Sequence, residues 1–268
     1  MKRLLLFLIG TAGLLTLGCS RENPTAIGQG QLQLAFEHMV GSRPLQPGST
    51  TYTNGSGEAF TVTTLNYYVT NIRLKRADGS EYVVPQDSSY FLVRATDPAS
   101  QVITLRNLPE GDYTAVSYLL GVDSLRNTLG IEMRKGVLDP AGGHQGGMYW
   151  DWNSGYIHFK LEGTSPVAPA TTNGNTFMYH IGLFGGYQSR TLNNIRSVTI
   201  PLGSLPARVA AGAIPRIRLE ADVLKVFDGP TTLRIAQAPL VMVSPLSASV
   251  ADNYARMFRF VGLTSEGR

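Results

Sequence analysis

The feature that most constrains this chain is a period of two. From Gln31 onward, Leu32, Leu34, Phe36 and His38 fall on one face of an extended segment. Ala59 to Lys75 reads AFTVTTLNYYVTNIRLK, and Asp78-Gly79 turns that run back into Glu81–Val84, a strong hairpin signal. Ile157, Phe159 and Leu161 alternate with Tyr156, His158 and Lys160, which predicts an outward-facing His158. Shorter strands are predicted at Phe91–Val93, Val102–Leu105, Thr114–Leu120, Phe177–Phe184, Val198–Ile200 and Ile217–Phe227. Gly41–Gly57 and Gly163–Asn175 read as loops, and Gly121–Gly147 as a long glycine-rich excursion without strand pattern. Ser247–Phe260 is the best helix candidate, with Val250, Tyr254, Met257 and Phe258 at helical spacing. The predicted fold class is all-β: an antiparallel β-sandwich with long loops and one short C-terminal helix.

The N terminus has a different character. Lys2 and Arg3 precede an apolar stretch from Leu4 to Leu17, broken by Gly10, Thr11, Gly13 and Thr16. It is too short and too interrupted for a typical membrane span. It ends at Leu17-Gly18-Cys19, which resembles the motif cut by the lipoprotein signal peptidase, apart from Thr16 where leucine is usual. Cys19 is the only cysteine, so it has no disulfide partner within the chain and is better explained as an acylation site. The alternative is an ordinary secretory signal cut nearby. Ser20 rather than aspartate follows Cys19, which favours outer-membrane delivery in a two-membrane bacterium. The reading is therefore residues 1–19 as signal, 20–30 as a flexible tether and 31–268 as one exported, lipid-anchored domain.

Composition narrows the function classes. At 43% hydrophobic and 16% charged residues the chain buries a core and is not disordered. The net charge of +4 includes Lys2 and Arg3, and no Lys/Arg cluster marks a nucleic-acid surface. No Gly-x-Ser-x-Gly elbow, P-loop, dinucleotide fingerprint or His-Glu-x-x-His motif occurs, so no enzyme is predicted.

The residues left to carry chemistry are four histidines and one aromatic motif. His38 lies on the apolar face of the first strand, His180 on a strand beside Met178, and His144 in the glycine loop before Met148. Imidazole and thioether ligands suit copper, Cu(I) in particular. Trp150 and Trp152 flank Asp151 and are the only tryptophans. They are read either as large core residues or as a stacking platform for glycans.

Taken in order, LAFEHMVG, LNYYVTNIRL, LPEGDYTAVSYLLGVDS, GMYWDWNSGYIHFKLEG and FMYHIG resemble the MbnP-like copper-binding family, from about Gln31 to about Leu202. The resemblance implies an exported β-sandwich, often a lipoprotein. It also implies a single copper ion, chiefly Cu(I), bound by histidines and used in copper acquisition or handling. In some relatives a tryptophan near the metal is oxidised to kynurenine, and a di-haem peroxidase-like partner is associated with that step. His38 and His180 match the family's histidines and are expected as metal ligands. Trp150 or Trp152 is the expected site of modification, with His144 and Met148 as substitute ligands. Asp123 is read as capping a turn, with orientation of a histidine as the alternative. A surface glycan-binding or adhesion lipoprotein using Trp150 and Trp152 is the competing function.

Overall fold

The computed structural model describes residues 28–140, 147–150, 155–172 and 174–267. The signal segment, Cys19 and residues 20–27 of the tether lie outside the described residues, as do His144, Asp151 and Trp152.

The first half of the chain contributes β1 (Gln29–Val40), β2 (Arg43–Pro44), β3 (Thr51–Thr53), β4 (Ala59–Arg76), β5 (Glu81–Val83), β6 (Tyr90–Arg94), β7 (Val102–Pro109) and β8 (Gly111–Leu120). The second contributes β9 (Tyr149–Trp150), β10 (Gly155–Thr164), β11 (Thr176–Gly182), β12 (Arg196–Pro201), β13 (Ala207–Val209), β14 (Ala213–Asp222), β15 (Leu240–Val241) and β16 (Phe258–Gly267). Three short helices, α1 (Ser124–Thr128), α2 (Leu224–Phe227) and α3 (Leu246–Tyr254), interrupt them.

These strands form two sheets, as the alternation predicts. The smaller runs β16-β14-β1-β2, with β7 also on β1. The larger runs β12-β8-β4-β10-β11-β15, with short strands attached to β4, β8 and β10. Leu32, Leu34 and Phe36 of β1 meet Leu65, Tyr67, Phe159 and Tyr179 of the larger sheet in one shared core. Each fully buried side chain of this size contributes roughly 1.5–3 kcal/mol of apolar burial. Phe36, Tyr67, Tyr118 and Phe258 add edge-to-face contacts at 5.4–6.1 Å.

Four local expectations change. The pairing is antiparallel except that β1 runs parallel to β14 and β11 parallel to β15. The strand expected through Phe227 stops at Asp222, whose carboxylate accepts the N–H groups of Leu224 at 3.0 Å and Gly41 at 2.8 Å and so starts the helical turn α2. The predicted C-terminal helix ends at Tyr254; Phe258 and Phe260 are apolar because they enter β16 opposite Ala221 and Leu219, so tertiary pairing overrides their helical spacing. The glycine-rich excursion is not without structure: α1 and 3-10 turns at Ile131–Met133 and Gly136–Leu138 shape its described part. It folds over the outer face of the larger sheet, where Val122, Leu138, Met148 and Trp150 cover Tyr68, Leu92, Tyr156 and Ile157 in a second core.

Candidate metal centre

The β10–β11 ladder sets Lys160 opposite His180 and Glu162 opposite Met178. Phe159, Leu161, Phe177, Tyr179 and Ile181 take the core face, so Lys160, Glu162, Met178 and His180 share the other face. There His180 Nε2 lies 2.7 Å from Glu162 Oε1, and Lys160 Nζ lies 3.4 Å from the same oxygen. The Glu162 carboxyl is pulled down to about 2, chiefly by the His180 hydrogen bond, with Thr64 and Lys160 adding to it against the effect of burial. An ionised carboxylate only accepts, so Nε2 is the donor and Nδ1 is the nitrogen left for a further partner. No hydrogen bond engages that Nδ1 among the described residues. A ring pinned by a carboxylate at one nitrogen and open at the other has the form of a metal-ligating histidine.

His38 is built differently. It points from β1 into the shared core, where Nε2 lies 3.0 Å from the Tyr67 hydroxyl and the two rings meet edge to face. Burial pushes the imidazole down to about 4, so it is neutral at physiological pH. The larger sheet stands between His38 on its inner side and His180 on its outer side. The two histidines expected as ligands therefore face opposite sides of that sheet. Alternation marks the face of β1 that carries His38 as buried, but the sequence does not reveal on which side of the larger sheet His180 stands.

His158 is a second correction. It does alternate onto the outer side, but the excursion covers it and it is 0% exposed. Nδ1 accepts the Val122 N–H at 3.2 Å and Nε2 donates to the Leu183 carbonyl at 3.3 Å, so both nitrogens are used. Burial holds this ring down at about 4 as well. Gly121 makes room for it: at φ +121° it adopts a conformation open to glycine, and a Cβ there would stand 2.8 Å from the imidazole.

Met148 and Trp150 are buried in the second core, Trp150 at 5% exposure. The indole lies against Gly182, where a Cβ would come within 2.6 Å of it. Gly182 follows His180 by two residues on β11, which puts Trp150 beside the strand that carries the pinned imidazole. At 5% exposure Trp150 belongs to no open surface and shows solvent only the wall of a cavity. Asp123 caps α1, accepting the Arg126 N–H at 3.1 Å and the Tyr90 hydroxyl at 2.5 Å, in line with the turn reading. Among the described residues no group of three or more His, Cys, Asp or Glu side chains converges. Glu162, the carboxylate bonded to His180, is the candidate residue that sequence reasoning passes over; its only signal is its alternation with Leu161 in FKLEG.

Fold and pair together define an all-β sandwich domain that carries a carboxylate-oriented histidine on the outer face of its larger sheet. The chain belongs to the MbnP family, whose model matches residues 29–244. Among solved structures it is similar to MbnP from Methylosinus trichosporium, at 16% identity over 82% of each chain with a TM-score of 0.56, a likeness of fold. Comparison with curated proteins gives no match.

Proposed function

We propose that this protein is an extracytoplasmic copper-binding lipoprotein, anchored through Cys19, that takes Cu(I) as cargo in copper acquisition or handling without catalytic turnover. The observation that carries this reading is the Glu162–His180 pair, which leaves Nδ1 of a partly buried imidazole open as a ligand. Met178 shares that face two residues away and supplies a thioether, the ligand type that favours Cu(I). The nearby Trp150, or Trp152, is the side chain proposed for oxidation to kynurenine, with a di-haem peroxidase-like partner as the oxidising protein. A histidine–methionine set of low coordination number disfavours zinc, which takes four ligands in structural sites.

Cu(I) titration of the soluble domain from Ser20 onward, against a chromophoric competitor, tests the reading. One tight copper per chain is expected, with affinity falling at least about tenfold in His180→Ala. His38→Ala is expected to retain copper and lose thermal stability. Loss of copper in His38→Ala with retention in His180→Ala would overturn the assignment. Intact-mass analysis of protein from the native host tests tryptophan oxidation separately.

A further inference from the structure

A cavity of about 390 Å³ opens beside the second core, between the excursion and the Leu183–Thr191 loop. That volume falls within the roughly 300–1,000 Å³ usual for small-molecule sites. Trp150 and Leu183 form apolar walls, and Tyr187, 75% exposed, stands at the mouth. Arg134 is the only charged residue among the described residues that line it.

Arg134 is itself only 8% exposed, yet every partner it has among the described residues is neutral. Nε donates to the Leu129 carbonyl at 2.9 Å, Nη2 to the Asn127 and Leu129 carbonyls at 2.8 and 2.7 Å, and Nη1 to the Tyr149 hydroxyl at 3.2 Å. The guanidinium also lies over the rings of Tyr149 and Tyr156. No carboxylate pairs with it among the described residues. A guanidinium has five N–H donors; four make these bonds, and the Tyr156 hydroxyl stands beside the group as a further neutral partner. A buried cation without a counter-charge is unfavourable until an anion joins it.

The opposite wall is held under strain. Leu183 adopts φ +74°, a conformation leucine avoids. Its carbonyl is fixed there by His158 Nε2 at 3.3 Å and by the Asn194 N–H at 2.9 Å. Strain that the surroundings over-determine is characteristic of ligand-binding walls.

We propose that this cavity binds a small carboxylate-bearing molecule with a flat unsaturated ring, the carboxylate on Arg134 and the ring between Trp150 and Tyr187. The carboxylate supplies a counter-charge that none of the described residues gives Arg134, and the ring covers aromatic surface that Tyr187 otherwise leaves in water. The inference is independent of the copper reading.

Calorimetric titration of the copper-free domain with benzoate, benzamide and cyclohexanecarboxylate tests it. Benzoate is expected to bind once per chain, with benzamide and cyclohexanecarboxylate each weaker, benzamide by about tenfold or more because it lacks the charge. Arg134→Gln is expected to abolish benzoate binding. Because Arg134 also braces the excursion, Ser189→Trp provides a second variant: it fills the cavity from an exposed loop, leaves Arg134 in place, and is expected to abolish binding with the melting temperature unchanged. No benzoate binding by the unaltered domain, benzamide binding as tightly as benzoate, or full binding in Ser189→Trp would each overturn the proposal.

Discussion

Glu162 holds the Nε2 of His180 at 2.7 Å across the β10–β11 ladder, on the face of the larger sheet turned away from the shared core. The carboxylate fixes both the tautomer and the plane of the ring. Glu162→Gln keeps the shape and removes the charge. It is expected to lower Cu(I) affinity by roughly 10–100-fold, the usual effect of losing such a partner. Competition titration at pH 7 measures this; an unchanged affinity would show that His180 does not need its carboxylate.

The two buried imidazoles make the fold acid-sensitive. His38 and His158 are both pushed down to about 4, while the unfolded chain takes up a proton at each near pH 6.5. Their contribution is complete above pH 6.5, declines as the pH falls, and is lost by about pH 4. At each site that loss amounts to roughly 3 kcal/mol. His38→Gln keeps a hydrogen-bonding partner for Tyr67 and cannot titrate, so urea unfolding at pH 7.5 and pH 4.5 is expected to show a smaller acid loss than in the unaltered protein.

Gly121 is the hinge between β8 and the excursion, and it has no tolerance for a side chain. Gly121→Ala meets both an unfavourable φ and the His158 ring at 2.8 Å. A destabilisation of about 2 kcal/mol or more is expected, since strain and overpacking combine. If chemical denaturation shows less than half of that, the excursion is free to shift away from β10.

Trp150 is expected to behave as a core residue. Trp150→Ala removes a side chain that is 5% exposed and packed against Gly182, so a loss of about 3–5 kcal/mol is predicted. Glycans are expected to leave the fluorescence of the unaltered protein unchanged. Quenching that disappears in Trp150→Ala would restore the glycan reading.

Much of the fold is legible in the sequence, because a period of two survives any tertiary arrangement. The face carrying Leu32, Leu34, Phe36 and His38 is buried as its alternation predicts. The Asp78-Gly79 turn joins β4 to β5, with Gly79 at φ +88°. The site is much less legible. Alternation places His38, His158 and His180 on strand faces but does not say what covers each face. Only the packed structure reveals that the excursion seals His158 and that the larger sheet divides His38 from His180. Glu162 is silent for a related reason: a lone carboxylate in a strand carries no signal until β11 is set beside β10. Arg134 is silent because its having only neutral partners among the described residues is a property of the folded loop.

The parallel pairing of β1 with β14 also governs timing. Arg216 donates to Gln33 at 2.8 Å across a separation of 183 residues. At synthesis rates of roughly 5–20 residues per second, the first strand waits about 10–40 s for that neighbour to emerge. Contacts of such sequence separation form late in folding. Until then one long edge of β1 stays open and the smaller sheet cannot close. The strand that emerges first is therefore among the last to gain its full set of neighbours.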